Sequence, residues 1–119
     1  MLQKSSYVSV SDKCGVWFAK IFCVYKGSNH KIGVVGDFVK ISVRKTRPAN
    51  WIKKGKKSKA FITITKFKNI KSDGSYIKMH KNYVVLLKKR MTPRGKELFG
   101  PITYGVRRRK FVSSFSGVI

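Results

Sequence analysis

Apolar and polar positions alternate along most of the first ninety residues, and the period is two rather than 3.6. Tyr7-Val8-Ser9-Val10 opens as a strand, and Gly15 to Tyr25 is a long aromatic and β-branched run that predicts a second one. In Val35 to Arg44, Val39, Ile41 and Val43 alternate with Lys40, Ser42 and Arg44, the pattern of a half-buried strand with a cationic outer face. Lys59 to Lys68 alternates again, with Ala60, Ile62 and Ile64 on one face and Thr63 and Thr65 on the other. Tyr83 to Leu87 is continuously apolar, which suits a strand buried on both sides.

The segments between carry turn chemistry. Lys26 to Lys31 supplies Gly, Ser and Asn, and Pro48 to Ser58 reads as a lysine-rich loop. Asp73-Gly74 predicts a hairpin joining the Lys59–Lys68 strand to Tyr76–Met79, and Lys81-Asn82 a second tight turn. After Leu87 the pattern changes. Lys88 to Glu97 reads as loop or one helical turn, Phe99-Gly100-Pro101 is rigid punctuation, and Val106 to Phe115 predicts a short helix with Phe111 and Phe115 four apart. Five or six short strands at close spacing predict a mainly β fold, a small closed barrel in which no sheet edge is left bare. No repeat or linker divides the chain, so residues 1–119 are expected to form one domain, with a C-terminal helical segment over about 93–119.

Composition sets the partner. The 119 residues include 28 Lys and Arg against four Asp and Glu, a formal charge of +24. Apolar content of 42% and aromatic content of 13% exclude a disordered basic tail. A folded core in so cationic a coat calls for a dense polyanion, and nucleic acid is the first to consider. The longest apolar stretch is interrupted by Lys20 and too short to cross a bilayer, so no membrane partner is expected. Residues 1–10 read as neither a secretory signal nor an Arg- and Ser-rich presequence. Lys exceeds Arg 21 to 7 and Ala occurs three times, a bias that suggests an AT-rich coding sequence.

Catalytic chemistry is missing from the pattern. Asp12, Asp37 and Asp73 each belong to a turn or strand start, and Glu97 has no acidic or histidine partner in sequence. Cys14, Cys23, His30 and His80 fit no zinc spacing, so neither metal nor cofactor is expected, and the cysteines read as small buried hydrophobes. Gly55-Lys56 and Gly95-Lys96 lack the rest of a phosphate loop. An enzyme is therefore not expected.

The cations cluster instead. Arg44, Lys45 and Arg47 form one group; Lys53, Lys54, Lys56, Lys57 and Lys59 form another. Lys66, Lys68 and Lys71 follow, then Lys78, then Lys88, Lys89, Arg90 and Arg94, and finally Arg107, Arg108 and Arg109 with Lys110. These are the expected RNA-binding residues, with Trp51 either stacking on an unpaired base or covering the barrel mouth. Clusters spread this widely imply contact on several sides, unlike a protein that slides along duplex DNA on one face. A free-standing basic nucleic-acid-binding barrel is the alternative reading.

Val10 to Val16, Val35 to Asp37, Lys53 to Gly55 with Lys59-Ala60, Ser72 to Ser75 with Asn82 and Val84 to Leu86, and Phe99 to Ile102 are five segments that resemble, in order and across the chain, the universal large-subunit ribosomal protein L-fourteen family. Val10 to Val16 lies where that family has an Asp-Asn-Ser/Thr-Gly-Ala stretch. Val35-Gly36-Asp37 is similar to its Val-Gly-Asp segment, and Lys53-Lys54-Gly55 with Lys59-Ala60 to its Lys-Lys-Gly loop and following strand. Ser72 to Ser75 with Asn82 and Val84 to Leu86 resembles its signature hairpin, and Phe99-Gly100-Pro101-Ile102 its Phe-Gly-Pro-Val segment. The resemblance implies a five-stranded barrel with short C-terminal helices, binding to large-subunit rRNA, contact with neighbouring ribosomal proteins, and bridges to small-subunit rRNA across the interface. It also implies a silencing factor as a partner, and it places protein contacts at Lys96, Glu97, Phe99, Phe111 and Phe115. Departures include Lys13 and Cys14 in the first motif, Met79 in place of an aromatic, Glu97 in place of a basic residue, and Gly105 in place of a charged one. The extreme charge favours an organellar ribosome over a bacterial one; a mitochondrial ribosome is expected, with a bacterial or plastid one as the alternative.

Overall fold

In the computed structural model of the chain, the described residues are 2–11, 14–25, 32–48 and 52–88. Nine strands run through them: β1 (Leu2–Gln3), β2 (Tyr7–Val10), β3 (Val16–Val24), β4 (Ile32–Gly33), β5 (Phe38–Thr46), β6 (Lys57–Ile64), β7 (Asn69–Ile70), β8 (Tyr76–Ile77) and β9 (Tyr83–Leu87). Five of them close a barrel in the order β2-β3-β5-β6-β9. All neighbours are antiparallel except β2 and β9, which close the ring in parallel through Ser9–Tyr83 and Val10–Val84. Closure leaves no barrel strand with a free row of backbone donors and acceptors.

The interior is the apolar half of the alternation. Val8, Val10, Ala19, Ile21, Val39, Ile41, Val43, Ala60, Ile62, Val84 and Leu86 form one buried cluster, joined by Leu2, Val35 and Ile52 from outside the barrel strands. Each fully buried Val, Ile or Leu removes about 1.5–3 kcal/mol worth of side chain from water. The β1–β4 ladder, which the alternation does not reveal, lies against this core. At Gly33 a Cβ would come within 2.9 Å of the Ile62 Cδ1, so a larger residue there would make the end of that side chain shift.

Strand β3 departs from strict alternation. Its inward residues are Val16, Ala19, Ile21 and Val24, and its register against β5 shifts between Val16 and Ala19 and again between Ile21 and Cys23. Each shift is a bulge, which lets two successive residues leave the interior together. Trp17 and Phe18 are turned out at the first, Phe22 and Cys23 at the second.

Three expectations are corrected. The Lys59–Lys68 strand starts earlier, at Lys57, and ends at Ile64. The Asp73-Gly74 hairpin therefore joins the separate β7–β8 ribbon rather than a barrel strand, and regular pairing stops at Ile77, short of Met79. Thr63 and Thr65, on the face opposite Ala60 and Ile62, are both buried, as are Phe61, Val85 and Leu87. Both sides of the sheet are covered here. The cysteines are half-buried and form no disulfide; Cys14 packs on the core, while Cys23 lies at an outward bulge. The predicted turn at 26–31 and the helix over Val106–Phe115 lie outside the described residues.

Candidate nucleic-acid interface

The outer surface of the barrel divides at Lys59. On one side this residue pairs with Lys40 of β5; on the other it pairs with Leu87 of β9. Beyond Leu87 the outer surface is apolar and buried. Beyond Lys40 it is cationic and aromatic, and it runs across β5, β3 and β2.

Register sets the order of that wall. One rung runs Tyr7, Lys20, Ser42, Lys57 across β2, β3, β5 and β6. The next runs Cys23, Lys40, Lys59 across β3, β5 and β6. Adjacent strands are about 4.8 Å apart, so lysines on neighbouring strands sit within one or two strand spacings of each other. Like charges in such positions repel.

Rings partly offset that repulsion. Both Lys40 and Lys57 place their Nζ over the Phe22 ring, 5.9 and 5.6 Å from its centroid. Lys20 sits over Tyr7 at 5.6 Å and Lys45 over Trp17 at 5.3 Å. An ammonium over a ring face is worth about 0.5–1 kcal/mol where it is exposed. Phe22, next to the buried Ile21 and turned outward, lies on this face within reach of the two lysines.

No carboxylate lies on the wall among the described residues. Asp37 is tied into its own turn, where the Val34 N–H donates to its Oδ2 at 2.6 Å. Asp73 accepts from the Ser75 N–H at 3.1 Å and the Ser75 hydroxyl at 2.6 Å. Those two bonds, chiefly the hydroxyl, hold the Asp73 carboxyl below the usual carboxylate range.

The expected RNA-binding residues fall in several places. Arg44 and Lys45 are exposed at the end of β5, with Arg47 just beyond it. Lys53, Lys54 and Lys56 are exposed in the loop before β6. Lys57 and Lys59 belong to the strand itself, not to the loop, and join the wall. Lys66 and Lys68 are exposed between β6 and β7, Lys71 is half-buried beside the hairpin, and Lys78 follows β8. Lys68 lies 4.5 Å over the Tyr76 ring across the ribbon. Lys88 is exposed after β9. Trp51, Lys89, Arg90, Arg94, Arg107, Arg108 and Arg109 lie outside the described residues, as do the expected protein contacts Lys96, Glu97, Phe99, Phe111 and Phe115.

Sequence reading missed the centre of the wall. Lys20, Lys40 and Phe22 were absent from the expected site, although the alternation of Lys40 with Val39 and Ile41 already marked an outward cation. The bulges that turn out Trp17 with Phe18, and Cys23 with Phe22, leave no mark in the alternation.

A five-stranded barrel carrying cations and rings on its outer wall, with no acids among the described residues there, is the form of a basic nucleic-acid-binding protein. Among the described residues no cluster of three metal-ligating side chains occurs, and no helix is long and apolar enough to cross a membrane. The model of the ribosomal protein L14p/L23e family matches residues 1–117. The large ribosomal subunit protein uL14m of Tetrahymena pyriformis is 48% identical over 119 residues, which is the whole of both chains. The chain belongs to the ribosomal protein L14p/L23e family. It is a structural constituent of the large ribosomal subunit and not an enzyme, with rRNA and ribosomal proteins as its partners, and the free-standing module is not favoured.

Proposed function

We propose that this chain works in the large subunit of a mitochondrial ribosome, where the wall of β2, β3, β5 and β6 lies against rRNA phosphates and neutralises them. The similarity to the Tetrahymena uL14m over full length supports the mitochondrial setting. The observation that carries the RNA contact is the pair of cationic rungs, Lys20–Ser42–Lys57 and Lys40–Lys59, with no carboxylate among them. Held side by side on a rigid sheet, those ammonium groups repel one another until an anion is placed over them. Lys53, Lys54 and Lys56 extend the same charge into the loop before β6.

The remaining contacts rest on the clustering of cations and on the family resemblance. Arg107, Arg108 and Arg109 with Arg90 and Arg94 are assigned to further rRNA. Lys96, Glu97, Phe99, Phe111 and Phe115 are assigned to neighbouring proteins, to the intersubunit contact and to a silencing factor.

The test is co-sedimentation from mitochondrial lysate on a sucrose gradient at moderate salt. The tagged chain is expected in the large-subunit and monosome fractions, and a Lys40→Gln, Lys57→Gln, Lys59→Gln variant is expected to be depleted there. Recovery of the unmodified chain in the light fractions alone would contradict the reading.

A further inference from the structure

One strip of the wall alternates ring and cation without a break. Tyr7 pairs with Lys20, whose Nζ sits over its ring. Lys20 and Phe18 are next-but-one neighbours on β3 and share its outer face, opposite Tyr7 and Ser9 of β2. Phe18 pairs on its other side with Lys45, and the Lys45 Nζ sits over Trp17. The strip therefore reads Tyr7, Lys20, Phe18, Lys45, Trp17.

The three rings are costly to leave in water. Tyr7 is 63% exposed, Trp17 42% and Phe18 45%. The bulge is what exposes two of them, since strict alternation would have sent either Trp17 or Phe18 into the barrel. Among the described residues Phe18 has no cation or aromatic partner on its ring.

Base-paired RNA offers phosphates to such a surface but keeps its base faces stacked inside the helix. Unpaired RNA offers both, and base-on-ring stacking between phosphate contacts is how single strands are held. A purely electrostatic seat for duplex would need the lysines and not the rings. We infer that the RNA held along this strip is an unpaired segment, with a base stacked on Phe18, further bases on Tyr7 or Trp17, and its phosphates on Lys20 and Lys45. The inference rests on the reading of the wall as an RNA-binding face and names which form of RNA that face takes.

The full-length chain is titrated with a labelled oligouridylate and with an RNA duplex of matched length, at several salt concentrations. Phe18→Leu keeps apolar bulk and removes the ring; Tyr7→Ala and Trp17→Ala remove the others. Each is expected to weaken oligouridylate binding about five- to hundredfold. Duplex affinity and the salt slope should be unchanged, and Phe18→Tyr should bind as the unmodified chain does. Lys40→Gln, Lys57→Gln, Lys59→Gln should weaken both forms. Ring variants that lose nothing, or lose equally on both forms, would overturn the stacking assignment while the lysine variant still upheld the RNA-binding wall; the rings would then belong to a protein neighbour. If the unmodified chain binds neither form, the RNA-binding wall and the stacking assignment both fall. Circular dichroism melts of each variant separate loss of binding from loss of fold.

Discussion

Lys40 of β5 stands directly opposite Lys59 of β6, two cations on one rung of an antiparallel ladder. Among the described residues no side chain on that rung neutralises them, and an anion placed over the wall, as proposed, would relieve their repulsion. Replacing Lys59 with Gln should therefore stabilise the isolated chain, by about 0.2–1 kcal/mol. The gain should be largest at low salt and fade toward 1 M, where the Debye length falls to about 3 Å. Thermal melting at two ionic strengths checks it; a lower midpoint for the variant at low salt would refute it.

Thr63 sits at a register shift between β6 and β9, where the ladder steps from Ile62–Val84 to Ile64–Tyr83. Its hydroxyl donates to the Tyr83 carbonyl at 3.2 Å, in a position with no solvent exposure. Thr63→Val keeps the shape and removes the donor. It should cost about 1–2 kcal/mol, read from chemical denaturation, whereas Thr63→Ser should cost less of that hydrogen bond. Equal stability of Thr63→Val and the unmodified chain would show that the hydroxyl has no part in holding the shift.

Gly55 has a φ of 87°, and nothing lies within 4 Å of where a Cβ would stand. Its N–H donates to the Val43 carbonyl at 2.8 Å, which ties the lysine-rich loop to β5. Any loss on substitution is thus a backbone effect rather than a clash. Gly55→Ala should cost about 1–2 kcal/mol and Gly55→Asn less, because Asn tolerates the left-handed region better. Both variants should keep the barrel's circular dichroism signature.

The Asp73–Ser75 turn gives the chain a pH-dependent local contact. The folded-state pKa of Asp73 lies below its unfolded value, so its contribution is present above the ordinary carboxylate range and is lost as pH falls through the folded value. Carboxyl titration by NMR should find Asp73 below the usual range and should move it upward in Ser75→Ala. An unmoved titration in that variant would remove Ser75 as the cause.

The barrel was legible because its inward residues keep strict alternation in β5, where Val39, Ile41 and Val43 face the core and Lys40 and Ser42 do not. The same rule failed in β3, since a bulge shifts the phase within the strand and only the partner's register reveals it. Nor does it tell that the outer face at Thr63 is covered, since alternation separates two faces without saying what lies over either. The hairpin at Asp73-Gly74 was legible from turn chemistry, yet its strands belong to a ribbon of two residues each, below what periodicity detects. For the site, charge pointed to a polyanion, and the loop lysines mark part of the seat proposed for it. The centre of the wall was hidden because Lys20, Lys40 and Phe22 come together across strands, and pairing distances are not written in linear order.

The most direct test of the account is the salt dependence of rRNA binding for the wall. Each phosphate contact contributes about 0.7–0.9 to the slope of log affinity against log salt. Removing Lys40, Lys57 and Lys59 together as Gln should lower the slope of the full-length chain by about two to three, while removing Lys81, which is not among the expected RNA-binding residues, should change it less. An unchanged slope in the wall variant, with the fold intact, would show that the cationic rungs of β5 and β6 do not face RNA.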